Sequence, residues 1–143
     1  MKRLVLIACV VLLAGCGSGH STPTPVAYYA GNWVGNWSSE EWNGVAVQKN
    51  GTVTLAITSA GAVTGTVTMQ GQTTPALTIT SGQLAAGGTG TFTITDNTTN
   101  VQYNGTAVVP FSVDSNHLNL SGSIETTNTS GALWDFIDMG LSR

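Results

Sequence analysis

Thr52-Val53-Thr54-Leu55-Ala56-Ile57-Thr58-Ser59-Ala60-Gly61-Ala62-Val63-Thr64-Gly65-Thr66-Val67-Thr68-Met69 is the stretch whose reading decides the fold. Val53, Leu55 and Ile57 recur at every second position against Thr52, Thr54, Ala56 and Thr58. A period of two puts the aliphatic side chains on one side of an extended strand and the threonines on the other. Ser59-Ala60-Gly61 supplies turn residues, and the segment from Ala62 to Gln70 repeats the pattern with Val63, Gly65, Val67 and Met69 on one face. The stretch reads as two strands with apolar side chains inward and threonine outward.

The pattern extends in both directions. Upstream, Val45 to Lys49 runs into Asn50-Gly51, the dipeptide favoured in two-residue type I′ turns, so a hairpin is expected there. Downstream, Leu77 and Ile79 precede a bulge or bend expected at Gly82, and Phe92 and Ile94 alternate with Thr91, Thr93 and Thr95 after a Gly87-Gly88 turn. Asp96 to Asn100 reads as a polar loop. Val101, Tyr103, Gly105, Ala107 and Val109 form the next face, and Pro110, which has no N–H to donate, is expected to break a central strand. Asp114-Ser115-Asn116 turns the chain into Leu118, Leu120, Gly122 and Ile124, and Ala132 to Leu141 is the last strand, where Trp134 and Phe136 oppose Leu133, Ile137 and Met139. No long window after the first residues has the 3.6-residue apolar spacing of a helix. The expected fold is all-β: an antiparallel up-and-down meander of about 8–10 short strands, closed or nearly closed as a barrel because closure removes exposed edges. A Greek-key β-sandwich is the alternative.

The first strand carries Gly31, Trp33, Gly35 and Trp37 on one face. Each indole follows a glycine by two positions, where the missing side chain leaves room for it. This Gly-x-Trp element, met twice, resembles that of the lipocalin-like families. The resemblance implies a small barrel that holds a small apolar or amphipathic ligand in its mouth, with Trp33, Trp37, Met69 and Tyr103 as candidate lining residues. It also implies an arginine near the final strand covering the base tryptophan, a role open to Arg143 over Trp33; the alternative is a free charged C-terminal residue.

The chain begins with Lys2 and Arg3, an apolar run from Leu4 to Leu13, and Leu13-Ala14-Gly15-Cys16. The run is about half the ~20 residues a helix needs to span a bilayer, so it reads as a signal peptide rather than a permanent membrane span. Leu13, Ala14, Gly15 and Cys16 resemble the lipobox of bacterial lipoproteins, which implies cleavage before Cys16 and lipid on its thiol and new amino group. Three acyl chains would hold the protein stably where one holds it marginally. The expected organisation is a signal peptide over 1–15, the lipidated cysteine and a flexible Gly/Ser/Thr/Pro tether over 16–27, and one barrel domain over 28–143. In the resembled class an aspartate after the cysteine retains the protein at the inner membrane. Gly17 stands there, so the expected place is the cell envelope, at the outer membrane where the organism has one.

Composition then removes function classes. After residue 15 the chain keeps two basic residues (Lys49, Arg143) against seven acidic ones, 2 − 7 = −5. Two cations cannot form the basic patch that nucleic acid requires, so no nucleic-acid partner is expected. Cys9 falls in the leader and Cys16 is used by lipid, which leaves no disulfide. His20 and His117 with scattered carboxylates form no recognisable metal set, so neither a metal nor a cofactor is expected. The chain after the leader has no nucleophile elbow, phosphate-cradling loop or His-Glu-x-x-His motif. The close carboxylate pairs Glu40–Glu41 and Asp135–Asp138 diverge on a strand rather than face each other across a substrate. The chain is thus expected to be non-catalytic: either a ligand-binding module, or a structural or interaction lipoprotein that offers exposed aromatics such as Tyr28, Tyr29 and Trp42 to an envelope protein or glycan.

Overall fold

The computed structural model describes residues 23–42, 46–127 and 133–143, and the side chains of 23–39, 48–126 and 139–143 among them. The leader, the lipobox residues Leu13 to Cys16 and most of the tether lie outside the described residues, as do the side chains of Glu40, Glu41, Trp42, Trp134, Asp135 and Asp138.

Among the described residues a short 3-10 helix, Val26–Tyr29, leads into eight strands: β1 (Gly31–Trp42), β2 (Ala46–Ile57), β3 (Ala62–Met69), β4 (Leu77–Leu84), β5 (Gly90–Asp96), β6 (Gln102–Val113), β7 (Asn119–Thr127) and β8 (Leu133–Ser142). Each strand pairs antiparallel with the next, and β8 returns to β1, closing an up-and-down barrel. No strand crosses over another, so the Greek-key alternative is excluded. The hairpin that set the reading forms in the expected phase: Val53 pairs with Val67, Leu55 with Gly65 and Ile57 with Val63, and Val53, Val63 and Val67 are fully buried.

Closure requires two backbones to meet at the β1–β8 seam, where Gly35 pairs with Leu141. A Cβ at Gly35 would lie 2.0 Å from the Gly140 carbonyl oxygen, so only glycine permits this approach. The barrel interior is filled mainly by Tyr29, Trp33, Trp37, Phe92, Phe111 and aliphatic side chains of β2 to β8, with the Phe92 and Phe111 rings 5.9 Å apart and tilted at 55°. Such edge-tilted pairs satisfy the ring quadrupoles better than a face-to-face stack.

Three local expectations are corrected. Asn50-Gly51 makes no turn: both residues lie mid-strand in β2, opposite Ser38 and Trp37. Gly51 instead makes space, since a Cβ there would sit 1.9 Å from the Thr68 carbonyl oxygen and 2.9 Å from Trp37 Nε1. The bulge expected at Gly82 falls two residues earlier, between Ile79 and Ser81, while Gly82 pairs with Phe92 and accommodates its ring. Pro110 does not end its strand. β6 runs through it with shifts of register against β7 on both sides of Val109, and its pairing with β5 stops at Thr106, so no ladder bond is asked of the proline.

Candidate functional site

The two ends of the barrel differ. At one end the 3-10 helix crosses the opening and buries Tyr29, whose carbonyl oxygen accepts a hydrogen bond from Trp33 Nε1 at 2.8 Å. Trp33 is wholly buried. The Arg143 guanidinium lies over its ring, 4.6 Å from the centroid, and donates to the carbonyl oxygens of Ala30 and His117. Gly31 leaves space for this: a Cβ there would lie 2.9 Å from Arg143 Nη1. Arg143 therefore ties the C-terminus, the base tryptophan, the 3-10 helix and the β6–β7 turn together, the arrangement that the Gly-x-Trp resemblance implies.

That turn is itself organised by a carboxylate. Asp114 Oδ1 accepts the backbone N–H of Leu118 at 2.8 Å and of Asn119 at 3.1 Å, and Oδ2 accepts Asn119 Nδ2 at 2.8 Å. The Asn119 side chain above all, then the two backbone donors, hold the Asp114 carboxyl below its ordinary value. His117 sits in the left-handed region at φ 56° with its ring 4.6 Å from that of Tyr28. Tyr28 is exposed, as expected of an interaction surface, whereas Tyr29 is 1% exposed and belongs to the plug. The sequence does not distinguish these adjacent tyrosines because the 3-10 turn, not strand alternation, sets their directions.

The opposite end is the mouth. Here Trp37 Nε1 donates to the Thr68 carbonyl oxygen at 3.1 Å, which fixes the indole across the gap left by Gly51. Beneath the rim lies a cavity of about 210 Å³. Trp37, Val67, Met69 and Leu77 give it apolar walls, while Lys49, Gln72, Asp96 and Thr98 bring polar groups to its edge. Asp96 Oδ1 accepts the backbone N–H groups of Thr98 at 2.7 Å and Thr99 at 3.2 Å, so this carboxylate also shapes the β5–β6 loop. Larger hollows exist, one of about 450 Å³ bordered by Ser81, Gln83, Thr91 and Asn104 and one of about 550 Å³ along Asn36, Asn50 and Gln70 that also touches Trp37 and Met69, but they are shallower grooves more open to solvent. A ligand there stays hydrated, so the smaller interior cavity is the better binding candidate.

Of the expected lining residues, Trp37 and Met69 line this cavity. Trp33 does not; its indole is enclosed in the base by Tyr29 and Arg143. Tyr103 is buried on the inner face of β6, opposite Ile94, outside the cavity wall. Lys49, Leu77 and Asp96 were not anticipated. Their parity was readable: Lys49, Gly51 and Val53 share one face once β2 is continuous, and the mistaken turn at Asn50-Gly51 hid it.

The chain matches no protein-family model and no curated protein sequence.

Proposed function

We propose that this chain is a non-catalytic, membrane-anchored lipoprotein of the cell envelope, held by lipid on Cys16, whose barrel takes a small apolar or amphipathic ligand at its mouth. The observation that supports the binding role is the cavity walled by Trp37, Val67, Met69 and Leu77 in a barrel whose other end is sealed. The anchor rests on Leu13-Ala14-Gly15-Cys16 after a basic start and an apolar run. With Gly17 following the cysteine, the outer membrane is the proposed residence where the organism has one. A second reading, a structural or interaction lipoprotein with exposed Tyr28 available to an envelope protein or glycan, draws on the dense packing of Tyr29, Trp33 and Phe111 at the base.

Two arms test the proposal. Cys16→Ser should move the protein from the membrane fraction to the soluble fraction; continued membrane association removes the anchor. Residues 23–143 carry every element of the barrel, and native mass spectrometry after exposure to envelope extract should find an added mass that disappears on unfolding. A bare mass in repeated extracts favours the structural reading.

A further inference from the structure

Resting on the lipid anchor proposed above, we infer that the base of the barrel is a membrane-facing surface, on which Tyr28, Val34 and Leu118 lie against the headgroup region of the bilayer that the anchor enters. The first observation is where exposed apolar groups collect. Among the described residues six large apolar side chains are exposed, and three of them, Tyr28, Val34 and Leu118, stand at or beside the base. Tyr28 belongs to the 3-10 helix, its ring 4.6 Å from that of His117, and Leu118 follows that histidine in the β6–β7 turn. The Arg143 N–H donates to the Leu118 carbonyl oxygen, and Val34 pairs with Ser142, one residue before that arginine, so the three side chains border one rim. The other three are Val101 beside the mouth and Val108 and Val109 on the β6 wall, with no aromatic among them. Single exposed valines are ordinary, whereas a tyrosine, with its apolar body and polar tip, suits the boundary between lipid and water.

The second observation is the uneven placing of charge. Of the seven acidic residues after the leader, only Asp114 lies at the base; Glu40, Glu41 and Asp96 lie at the mouth ends of β1 and β5, and Glu125, Asp135 and Asp138 lie within β7 and β8. The Asp114 carboxylate is engaged by Leu118 and Asn119, and Arg143 brings a cation to the same end. Residues 17–39 contain no Asp, Glu, Lys or Arg. An acidic chain therefore meets anionic headgroups with least repulsion through its base. The third observation is reach. The seven steps from Cys16 to Pro23 span at most about 25 Å when fully extended. A contact too weak to hold a free domain is then sampled at high effective concentration. Thr24 accepts the Gly87 N–H in the β4–β5 turn and the 3-10 helix crosses the base from there, so the rim stands across the base from the point where the tether arrives.

The experiment holds the domain at a bilayer and reads which face meets it. Residues 16–143 have Cys16 as their only thiol, so a maleimide lipid in phosphatidylcholine nanodiscs couples there whether or not a cell lipidates the chain. With 15N-labelled protein and a gadolinium-chelate lipid in the disc, the amides of Tyr28, Val34 and Leu118 should relax several-fold faster than those of Gln72 and Thr98 at the mouth. They should also relax faster than those of Thr24 and Gly87, where the tether arrives. Tyr28→Ser combined with Leu118→Ser should abolish this excess while the Trp37 indole and the Phe92 and Ile94 amides keep their positions, which shows that the barrel is intact. Enhancement centred on Thr24 and Gly87, or spread evenly over the barrel, shows a domain that hangs free and overturns the docking face. Enhancement strongest at the mouth, or an excess unchanged in the folded double variant, overturns it as well. Because the lipid is coupled chemically, these outcomes stand apart from the anchor, which fails on its own if Cys16→Ser leaves the full chain in the membrane fraction.

Discussion

Arg143 shows how much one side chain can organise when a chain carries few charges. Its guanidinium covers Trp33 and bonds two carbonyls from distant segments, so Arg143→Ala removes a cation–π contact and two charge-assisted hydrogen bonds together. Because the group is exposed, the expected loss is about 1–2 kcal/mol in urea unfolding, and Arg143→Lys should recover only part of it because an ammonium cannot reproduce the planar fork. Asp114 acts through protonation. Its carboxyl is held below its ordinary value by Asn119 and Leu118, so near the ordinary range of about 3.9 the unfolded chain binds more protons than the folded one and stability rises with pH. The contribution is present above that range and is lost as pH falls through the lowered value. Asp114→Ala should therefore destabilise the barrel at pH 7, and the gap between parent and variant should close in acid; a gap unchanged from pH 7 to pH 2 would contradict the role given to this carboxylate.

At the scale of elements, period-two alternation carried most of the fold. β2, β3, β5 and β7 fall where Val, Leu, Ile and Phe alternate with Thr and Ser, because each has one face in the core and one in water. What alternation could not convey is packing between strands far apart in sequence. Asn50-Gly51 has the composition of a turn, yet Gly51 is there because Trp37 and Thr68 leave no room for a side chain, a fact that appears only when β1, β2 and β3 lie side by side. Pro110 likewise looks like a strand end until β5 is seen to stop pairing before it. The candidate site was half legible for the same reason: Trp37 and Met69 could be read from their face, but which tryptophan lies at the base depends on the 3-10 helix and Arg143. The seam offers a test at this scale. Gly35→Ala forces a Cβ against Gly140, should reduce stability by about 1–3 kcal/mol, and should raise hydrogen exchange first along Val34–Ser38 and their β8 partners. Uniform acceleration around the barrel would place the strain elsewhere.

For the whole molecule, a base closed by the 3-10 helix and Arg143 and a cavity at the opposite end give the barrel a polarity. The segment at residues 23–29 crosses the base, with Thr24 accepting a hydrogen bond from Gly87 N–H and Tyr29 buried beneath, so the chain enters at the end opposite the cavity. If lipid on Cys16 holds the protein as proposed, the tether reaches the domain at its base and the mouth lies at the far end. Among the described residues two buried indoles report on opposite ends: Trp33 bonded to Tyr29, Trp37 bonded to Thr68 and walling the cavity. The most direct measurement is an indole 1H–15N spectrum of residues 23–143 before and after addition of lipid extract from the source envelope. Binding at the mouth predicts a shift of the Trp37 indole, and of the Met69 methyl in a companion spectrum, with Trp33 unmoved. A shift confined to Trp33 or to the outer threonines, or none with any extract, would contradict a ligand site in the mouth.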